Sequence, residues 1–299
     1  MPVAWYEPRV LTRVDHLVIA VEDLDCATDT YRRLLGLEPS WRGVHPDAGS
    51  ANTLFRLANT YVELLAPEGD APFADFLRDH IEQSGEGPLA IAFATRDAVA
   101  TVAALRERGI PAPDAASASG RESTTGVVRE WKSAVLPPLA TRGIPTIVVE
   151  HLTSADALPP ARPIGAIEAV VNAVDHVVIM SGSADAVIAL YANALGLRLA
   201  FDKTFPDRGL RLIFFRLGGL TVECAVPLGD GALPADGDDK IWGISYRVGD
   251  IRAAQTRLTA AGFDVSEVRK GHKPGTSVCT VRKETHGVAT LVISQEADD

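Results

Sequence analysis

Two histidine–glutamate couples are the residues of this sequence best suited to chemistry. His16 precedes Glu63 by 47 residues, and His176 precedes Glu223 by the same number. Imidazole nitrogen and carboxylate oxygen are ligands that zinc, nickel, manganese and iron take in proteins. The four side chains are therefore candidate ligands of a divalent metal, bound at one couple, at the other or at both, and Glu63 and Glu223 are also candidate catalytic residues.

Both glutamates lie in apolar, strand-like segments, YVELL around Glu63 and TVECA around Glu223. Burying a carboxylate is costly unless a cation pairs with it or it is protonated. Besides a metal, the cations available by repetition are Arg56 and Arg216, which would make the glutamates partners in structural ion pairs. For the two histidines, the alternative is a hydrogen bond inside the fold with no metal.

The couples recur because the chain is internally duplicated. Shifted by 160 residues, VDHLVI at 14–19 lies over VDHVVI at 174–179, and 19 of the 54 positions from 14 to 67 are identical. Unrelated sequences would share about three or four. We therefore expect two domains of the same build, at residues 1–155 and 171–299, joined by a Pro-rich linker at 156–170.

Within each domain a strand–helix–strand–strand–strand pattern occurs twice, which gives four units in the chain. Unit one begins with a β-branched strand at His16–Val21 and a helix at Asp23–Leu34 that Gly36 ends. Unit two restarts with a strand at Leu89–Ala94. One unit cannot cover both faces of its sheet, so we expect pairs of units to curl around a cleft.

An opening strand DHLVIAV, a helix ending in LGL and a later strand ending in VEL resemble the vicinal oxygen chelate superfamily. That group includes glyoxalase I, extradiol dioxygenases, methylmalonyl-CoA epimerase and bleomycin-resistance proteins. The resemblance covers about residues 12–152 and 172–297, and the segment GIPTIVVEH resembles the end of glyoxalase-like domain proteins. It implies an α+β fold of four tandem βαβββ modules that form two curled-sheet domains.

The resemblance also implies where metal ligands belong, namely a His on the first strand of a unit and a Glu on its last. Units one and three have both, whereas units two and four have apolar residues or glycine there: Ala90, Ile147, Gly243 and Leu291. A complete ligand set would form if the two couples faced each other across the domains or across a dimer. Glu150 and His151 are further ligand candidates, and the strand period puts His151 on the face of Ile147.

This reasoning favours an enzyme that acts on a small oxygenated organic molecule by isomerase or lyase chemistry. A divalent metal (Zn, Ni, Mn or Fe) would hold two neighbouring oxygens of the substrate and stabilise an enolate or alkoxide. The alternatives are a metal-free small-molecule binding or resistance protein, favoured by the four replaced ligand positions, and a relative of the extradiol dioxygenases. A further alternative, in which one domain is only structural and the other is active, is compatible with each of these functions.

The composition disfavours nucleic acid and membranes as partners, so we expect a small-molecule substrate. The net charge is −10 and no cluster of four Lys or Arg occurs, which disfavours nucleic acid and anionic membranes. No apolar run approaches the roughly 18 residues of a membrane span, and Met1–Glu7 lacks the pattern of a secretory signal, so we expect a cytoplasmic protein. Whether the chain forms a homodimer stays open. We expect each of its three cysteines to be reduced and buried: Cys26, Cys224 and Cys279.

Three further features have two interpretations each. The polar loop His272–Thr276 either closes over an anionic group or only turns the chain. His286 is either a turn residue or a side chain that reaches the second cleft. Trp242 either packs in the core or lines a pocket.

Overall fold

The computed structural model describes residues 10–295, which form two eight-stranded sheets, one from each half of the chain. The first sheet closes into a barrel and the second stays open. This is the predicted α+β fold. Met1–Glu7, on which the expectation about a secretory signal depends, lies outside the described residues. Between residues 10 and 295, no helix is long and apolar enough to cross a membrane.

The N-terminal half, which contains the barrel, consists of two βαβββ units and one additional helix. Its elements are β1 (Arg13–Ala20), α1 (Leu24–Leu35), β2 (Leu37–Glu38), β3 (Trp41–His45), β4 (Ser50–Arg56), β5 (Tyr61–Pro67), α2 (Pro72–Ser84), β6 (Gly87–Ala94), α3 (Ala98–Glu107), β7 (Ala116–Glu122), β8 (Val128–Leu136) and β9 (Thr146–His151). The barrel order is β1-β5-β4-β3-β7-β8-β9-β6. A short strand in the connecting segment, β10 (Arg162–Pro163), pairs with β2 and ties that segment to the barrel.

The C-terminal sheet repeats the same strand order without closing. Its elements are β11 (Val171–Met180), α4 (Ala184–Val187, continued by wider π-type turns over Ile188–Ala194), β12 (Arg198–Phe205), β13 (Leu210–Leu217), β14 (Leu220–Pro227), β15 (Lys240–Val248), α5 (Ile251–Ala260), β16 (Arg269–Lys270), β17 (Thr276–Val281) and β18 (Ala289–Gln295). Its strand order is β12-β13-β14-β11-β15-β18-β17-β16.

Local sequence explains how the first helix starts and stops. The Asp23 side chain accepts a hydrogen bond from the Cys26 backbone N–H at 2.9 Å and caps α1. Gly36 ends the helix in the left-handed conformation (φ 71°), and its N–H bonds the carbonyl of Arg32. The buried stripe of α1, which includes Ala27 and Tyr31, packs into the core. The predicted helix and its glycine end are thus confirmed.

Units that are adjacent in the sequence also pair in space. β1 runs antiparallel to β6, which joins units one and two, and β11 runs antiparallel to β15, which joins units three and four. The two histidine–glutamate couples therefore belong to different sheets. The alternative of a composite site, in which the couples of one chain face each other across the domains, does not occur within residues 10–295, where contiguous strand pairing places the couples in different sheets.

A helix that the repeat pattern does not contain fills part of the barrel interior. The side of α2 that carries Leu77 and Ile81 packs on inward-facing residues of β1, β5, β6 and β9. Ala90 and Ile147, two of the positions without a ligand, belong to this apolar cluster. In the C-terminal half, the segment between β14 and β15 contains only a short 3₁₀ turn at Gly229–Gly231.

Closure of the barrel depends on one glycine. β3 and β7 pair at Gly43 with Glu122 and at Val44 with Arg121. A Cβ at position 43 would lie 2.4 Å from the carbonyl oxygen of Arg121, so this seam closes only around a residue without a side chain. The duplicated position holds Lys203. β16 has only two residues, and β12 and β16 remain the unpaired edges of the C-terminal sheet.

The two halves share one hydrophobic core that extends through both sets of helices. The Arg257 guanidinium on α5 donates to the carbonyls of Arg33 and Leu34 at the end of α1. Asn59, in the turn between β4 and β5, exchanges hydrogen bonds with the backbone of Val174 on β11. The halves are therefore joined by polar contacts at backbone groups as well as by apolar packing.

Candidate functional site

The strand register brings each histidine to its glutamate on the inner face of the sheet. Val18 stands opposite Glu63 between β1 and β5, so that His16, two residues before Val18, shares the face of Glu63. His16 Nε2 lies 3.3 Å from Glu63 Oε2. The second half repeats this arrangement, with 3.6 Å between His176 Nε2 and Glu223 Oε2. Both predicted couples are therefore contact pairs.

The same register shows what stands at the symmetric positions of units two and four. His16 pairs with Ala92 and Val18 with Ala90, so that Ala90 is the two-fold counterpart of His16. Ala92 stands opposite Ile147 as Val18 stands opposite Glu63. The corresponding pairs in the C-terminal sheet leave Gly243 and Leu291 at the equivalent positions. The strand register thus places Ala90, Ile147, Gly243 and Leu291 at the positions equivalent to the two couples.

An aspartate immediately before each histidine orients its ring. His16 Nδ1 lies 3.0 Å from Asp15 Oδ1, and His176 Nδ1 lies 2.8 Å from Asp175 Oδ1. Since the carboxylate accepts the Nδ1 proton, Nε2 of each ring is directed to the glutamate. The strand pattern does not predict a contact for either aspartate, because neighbouring residues of a regular strand point to opposite faces. Register shifts beside Val14 and Val174 allow these pairs to meet.

Asp15 differs from Asp175 in having a second imidazole partner. His151 Nε2 lies 2.9 Å from Asp15 Oδ1, which places His151 inside the barrel as its strand period predicts. Burial acts to raise the pKa of Asp15, but the hydrogen bonds from His151 and His16 outweigh it and hold that pKa well below its usual value. The side chain of Glu150 points to the other face, where it accepts the backbone N–H of Ala98 at the start of α3.

In the N-terminal barrel, protein groups surround the couple on every side. Asn52 Nδ2 donates to Glu63 Oε1 at 2.7 Å, and Tyr61 stacks on the His16 ring at 4.6 Å between ring centres. Leu158, from the segment after β9, packs on Tyr61 at one end, while α2 covers the other. Asn52 Oδ1 is buried there without a hydrogen-bond partner. Solvent reaches only 8% of the His16 side chain and 10% of that of Glu63.

The alternative that pairs the glutamates with arginines is wrong. Arg56 donates to the backbone carbonyls of Ala155 and Leu158 and leaves Glu63 to its histidine and asparagine neighbours. Across the described part of the chain, Arg216 forms no ion pair with Glu223 either. Arg56 therefore binds the connecting segment and Arg216 lies at the surface, while each glutamate contacts a histidine.

The C-terminal couple lies in the open sheet, and fewer protein groups contact its two side chains. Ser245 Oγ lies 2.7 Å from His176 Nε2. The Glu223 carboxylate accepts no hydrogen bond from any residue between 10 and 295, and the His176 ring lies 3.6 Å from it. Exposed fractions are 17% for the His176 side chain and 18% for that of Glu223. Burial raises the pKa of Glu223, and the charge of His176 opposes that rise.

These contacts decide which couple fits a metal. In the barrel, both ring nitrogens of His16 face carboxylates and Glu63 already accepts from Asn52, so that the protein itself satisfies these donors. In the open sheet, the ring nitrogens of His176 also have protein partners, Asp175 and Ser245. The Glu223 carboxylate beside them, however, accepts no hydrogen bond from residues 10–295 and keeps its lone pairs unused. This second donor set fits a divalent cation that keeps open coordination positions. Within residues 10–295, no three His, Cys, Asp or Glu side chains form a metal cluster.

The remaining candidates lie elsewhere. His286 is a turn residue (φ 49°) whose Nδ1 contacts Glu86 Oε2 at 2.6 Å across the two halves, not in the cleft. Trp242 is 58% exposed and does not pack in the core. Cys224 and Cys279 are buried as expected, but Cys26 is exposed on α1, so the prediction is wrong for that residue.

Two family models match this chain. The model described as "Glyoxalase-like domain" matches residues 14–195, and the model described as "Glyoxalase/Bleomycin resistance protein/Dioxygenase superfamily" matches residues 175–280. Together they cover both histidine–glutamate couples, so both copies of the site lie within matched sequence.

Among curated proteins, the chain is similar to epimerases. It is 35% identical over 100 residues to the ethylmalonyl-CoA/methylmalonyl-CoA epimerase of Cereibacter sphaeroides, which is 32% of this chain and 75% of that protein. It is 41% identical over 69 residues to the human mitochondrial methylmalonyl-CoA epimerase, which is 23% of this chain and 39% of that one.

Solved structures repeat the whole two-sheet arrangement. A variant of 4-hydroxymandelate synthase from Streptomyces coelicolor superposes with a TM-score of 0.68 at 15% identity, covering 95% of this chain and 93% of that one. A hypothetical protein from Staphylococcus aureus superposes with a TM-score of 0.63 at 11% identity, covering 95% and 100%. At these identities, the likeness establishes the fold and not the activity.

Proposed function

The chain belongs to the glyoxalase-like domain family of the vicinal oxygen chelate superfamily, and we propose that its C-terminal sheet is an isomerase site. The reaction is removal of a proton from the carbon beside a carbonyl, followed by its return to the resulting enolate. The observation that carries the proposal is Glu223, a largely buried carboxylate on the open sheet that accepts no hydrogen bond between residues 10 and 295.

The names of the similar epimerases support a proposal for the substrate class. The epimerase of Cereibacter sphaeroides is named for ethylmalonyl-CoA and methylmalonyl-CoA, thioesters whose acidic carbon lies between two carbonyl groups. Removing a proton from such a carbon gives an enolate that neighbouring donors can stabilise. We therefore propose a small acyl thioester of coenzyme A as the substrate of this chain.

Each residue of the C-terminal couple has a role in this reaction. Glu223 accepts the proton from carbon and returns it. Asp175 holds the His176 ring with Nε2 directed into the cleft, and Ser245 lies beside that nitrogen. His176, Glu223 and Ser245 would hold a divalent metal, which when bound supplies a Lewis acid for the substrate's oxygens. Zn, Ni, Mn and Fe all accept this donor set.

Exchange with heavy water tests the proposal. Methylmalonyl-CoA or ethylmalonyl-CoA would be incubated with the protein in D₂O, and deuterium at the acidic carbon measured by mass spectrometry. We expect exchange to fall at least 100-fold in Glu223→Gln, a usual cost of losing a general base. Glu63→Gln makes the same change in the duplicated copy and is the matched control. Equal rates in wild type and Glu223→Gln would contradict the proposal.

The second candidate, a metal-free binding protein, is favoured by Gly243 and Leu291, which give the cleft an apolar side where the superfamily's other two ligands belong. The same experiment separates the two functions. A binding protein would retain the thioester with no exchange above that of free solution, and Glu223→Gln would leave retention unchanged.

A further inference from the structure

We propose that a basic mouth on the C-terminal sheet, formed by Lys203, Arg208 and His272, binds the phosphate-bearing end of the substrate. This inference rests on the proposed function, because it assigns the far end of the molecule whose acyl end lies at Glu223. The chain carries a net charge of −10, so a cluster of basic side chains without acidic partners needs a reason.

The mouth is built around one aromatic ring. Lys203 Nζ lies 5.2 Å and Arg208 Cζ 5.5 Å from the centre of the Phe205 ring. Arg208 Nη1 lies 3.4 Å from Nδ1 and 3.5 Å from Nε2 of His272, so that the guanidinium contacts the imidazole ring. This contact joins the loop after β12 to the loop after β16, across the edges that fail to pair.

None of these three side chains has an anionic partner among residues 10–295. Asp207, the neighbour of Arg208 in the same turn, forms no ion pair there. The Lys203 ammonium and the Arg208 guanidinium both lie beside the Phe205 ring, so an anion bound there is attracted to both charges. A phosphate group matches such a site, because it accepts hydrogen bonds from several donors at once.

An apolar wall connects the mouth to Glu223. Phe201 stands opposite Phe214 on β13, and Phe214 stands opposite Glu223 on β14, so that these three residues form one row across the sheet. The rings of Phe201 and Phe214 are 5.0 Å apart, and those of Phe201 and Phe205 are 6.4 Å apart. Phe205 lies four residues further along β12, which corresponds to about 13 Å. The substrate that fits is therefore a long one, with its reactive carbon and its phosphates at opposite ends.

Two of the three side chains of the mouth have no basic counterpart in the duplicated half. The positions that correspond to Lys203 and Arg208 are Gly43 and Ala48. At Gly43 the barrel seam is closed by strand pairing, whereas at Lys203 it is open. Lys203 and Arg208 therefore lie in the half whose sheet stays open, which agrees with a role for them in binding.

Direct binding tests the mouth separately from catalysis. Calorimetry would compare coenzyme A with pantetheine, which has the same thiol arm but no phosphates. We expect coenzyme A to bind wild type at least tenfold more tightly than pantetheine, and Arg208→Gln and His272→Gln each to lose about tenfold for coenzyme A alone. The advantage of coenzyme A should shrink as salt rises. Arg252→Gln, on the helix that covers the other face of the sheet, removes the same charge and should change nothing.

Deuterium exchange separates failure of the mouth from failure of the proposed function. With methylmalonyl-pantetheine, Arg208→Gln should exchange at the wild-type rate; with methylmalonyl-CoA, its KM should rise about tenfold at unchanged kcat. Equal affinity of wild type and Arg208→Gln for coenzyme A would overturn the mouth, even if exchange still depends on Glu223. No preference of wild type for coenzyme A over pantetheine would overturn it as well.

Discussion

Arg142 and Asp239 form a two-point ion pair that joins the N-terminal half to the C-terminal half. Arg142 Nε donates to Asp239 Oδ2 at 2.9 Å, and Nη2 donates to Oδ1 at 3.0 Å. The aspartate side chain is fully buried and that of the arginine is 17% exposed. Arg142 also donates to the carbonyls of Ala235 and Gly237, so that one side chain fixes the loop before β15.

Removing Arg142 should destabilise the protein strongly. Arg142→Leu leaves the Asp239 carboxylate buried without a partner, which costs about 3–5 kcal/mol in the free energy of unfolding. Urea unfolding followed by circular dichroism measures this change. Arg282→Leu is the control, because its pair with Asp264 is about half exposed and should cost less than about 1 kcal/mol. Similar losses for both variants would show that the Arg142 pair does not hold the halves together.

Metal content should depend on the C-terminal couple alone. His176→Ala removes the imidazole beside the Glu223 carboxylate, which keeps unused lone pairs, whereas His16→Ala changes a cluster in which Glu63 already accepts from Asn52. Elemental analysis of untagged protein, loaded with Zn, Mn, Ni or Fe and then dialysed, should show bound metal in wild type and His16→Ala and its loss in His176→Ala. Loss in both variants, or in His16→Ala alone, would contradict the assignment.

The Glu223 carboxylate should make stability fall as pH rises. Its pKa in the folded protein lies above the ordinary value of 4.5, so the folded state binds more protons than the unfolded state between these two values. Stability is therefore highest below pH 4.5 for this group and decreases through the raised pKa. Glu223→Gln should melt higher than wild type at pH 7, and the difference should disappear by about pH 4. Glu63→Gln is the matched control, because Glu63 accepts a hydrogen bond from Asn52 that an amide oxygen accepts more weakly, and the variant should not gain stability.

A side chain at position 43 should open the barrel seam. Gly43→Ala places a Cβ against the Arg121 carbonyl, and backbone must move to admit it, at a cost of about 1–3 kcal/mol. Limited proteolysis should then cleave the loop between β7 and β8 faster than in wild type. Gly231→Ala is the control, since its added Cβ has no atom closer than 4.0 Å. Unchanged cleavage in Gly43→Ala would show that the seam tolerates a side chain.

Repetition made part of this structure predictable. The four βαβββ units, the contact of each histidine with its glutamate and the empty ligand positions all follow from aligned residues, because strand pairing repeats when sequence does. Residues without a counterpart in the other half could not be found in this way. Asn52 aligns with Leu212, and α2 aligns with a loop, yet both decide what the barrel interior can bind.

Other features depend on geometry that no spacing encodes. The aspartates before the histidines reach the ring only because the strand register shifts beside them, and the regular period of two argues against such a contact. Arg142 and Asp239 are far apart in the sequence and meet through the packing of the two halves. Pro72, a frequent first residue of helices, was an available signal for α2 that the repeat pattern concealed.

The contact of the Arg257 guanidinium with the first half affects whether either half of the chain can be expressed alone. Gene duplication commonly yields parts that can be cut apart, shuffled or expressed alone. Here a side chain from the second copy completes the end of the first helix of the first copy, and a single apolar interior runs through both. A fragment that encodes either copy would expose backbone carbonyl groups and apolar surface to water. We therefore expect neither half to fold stably without the other.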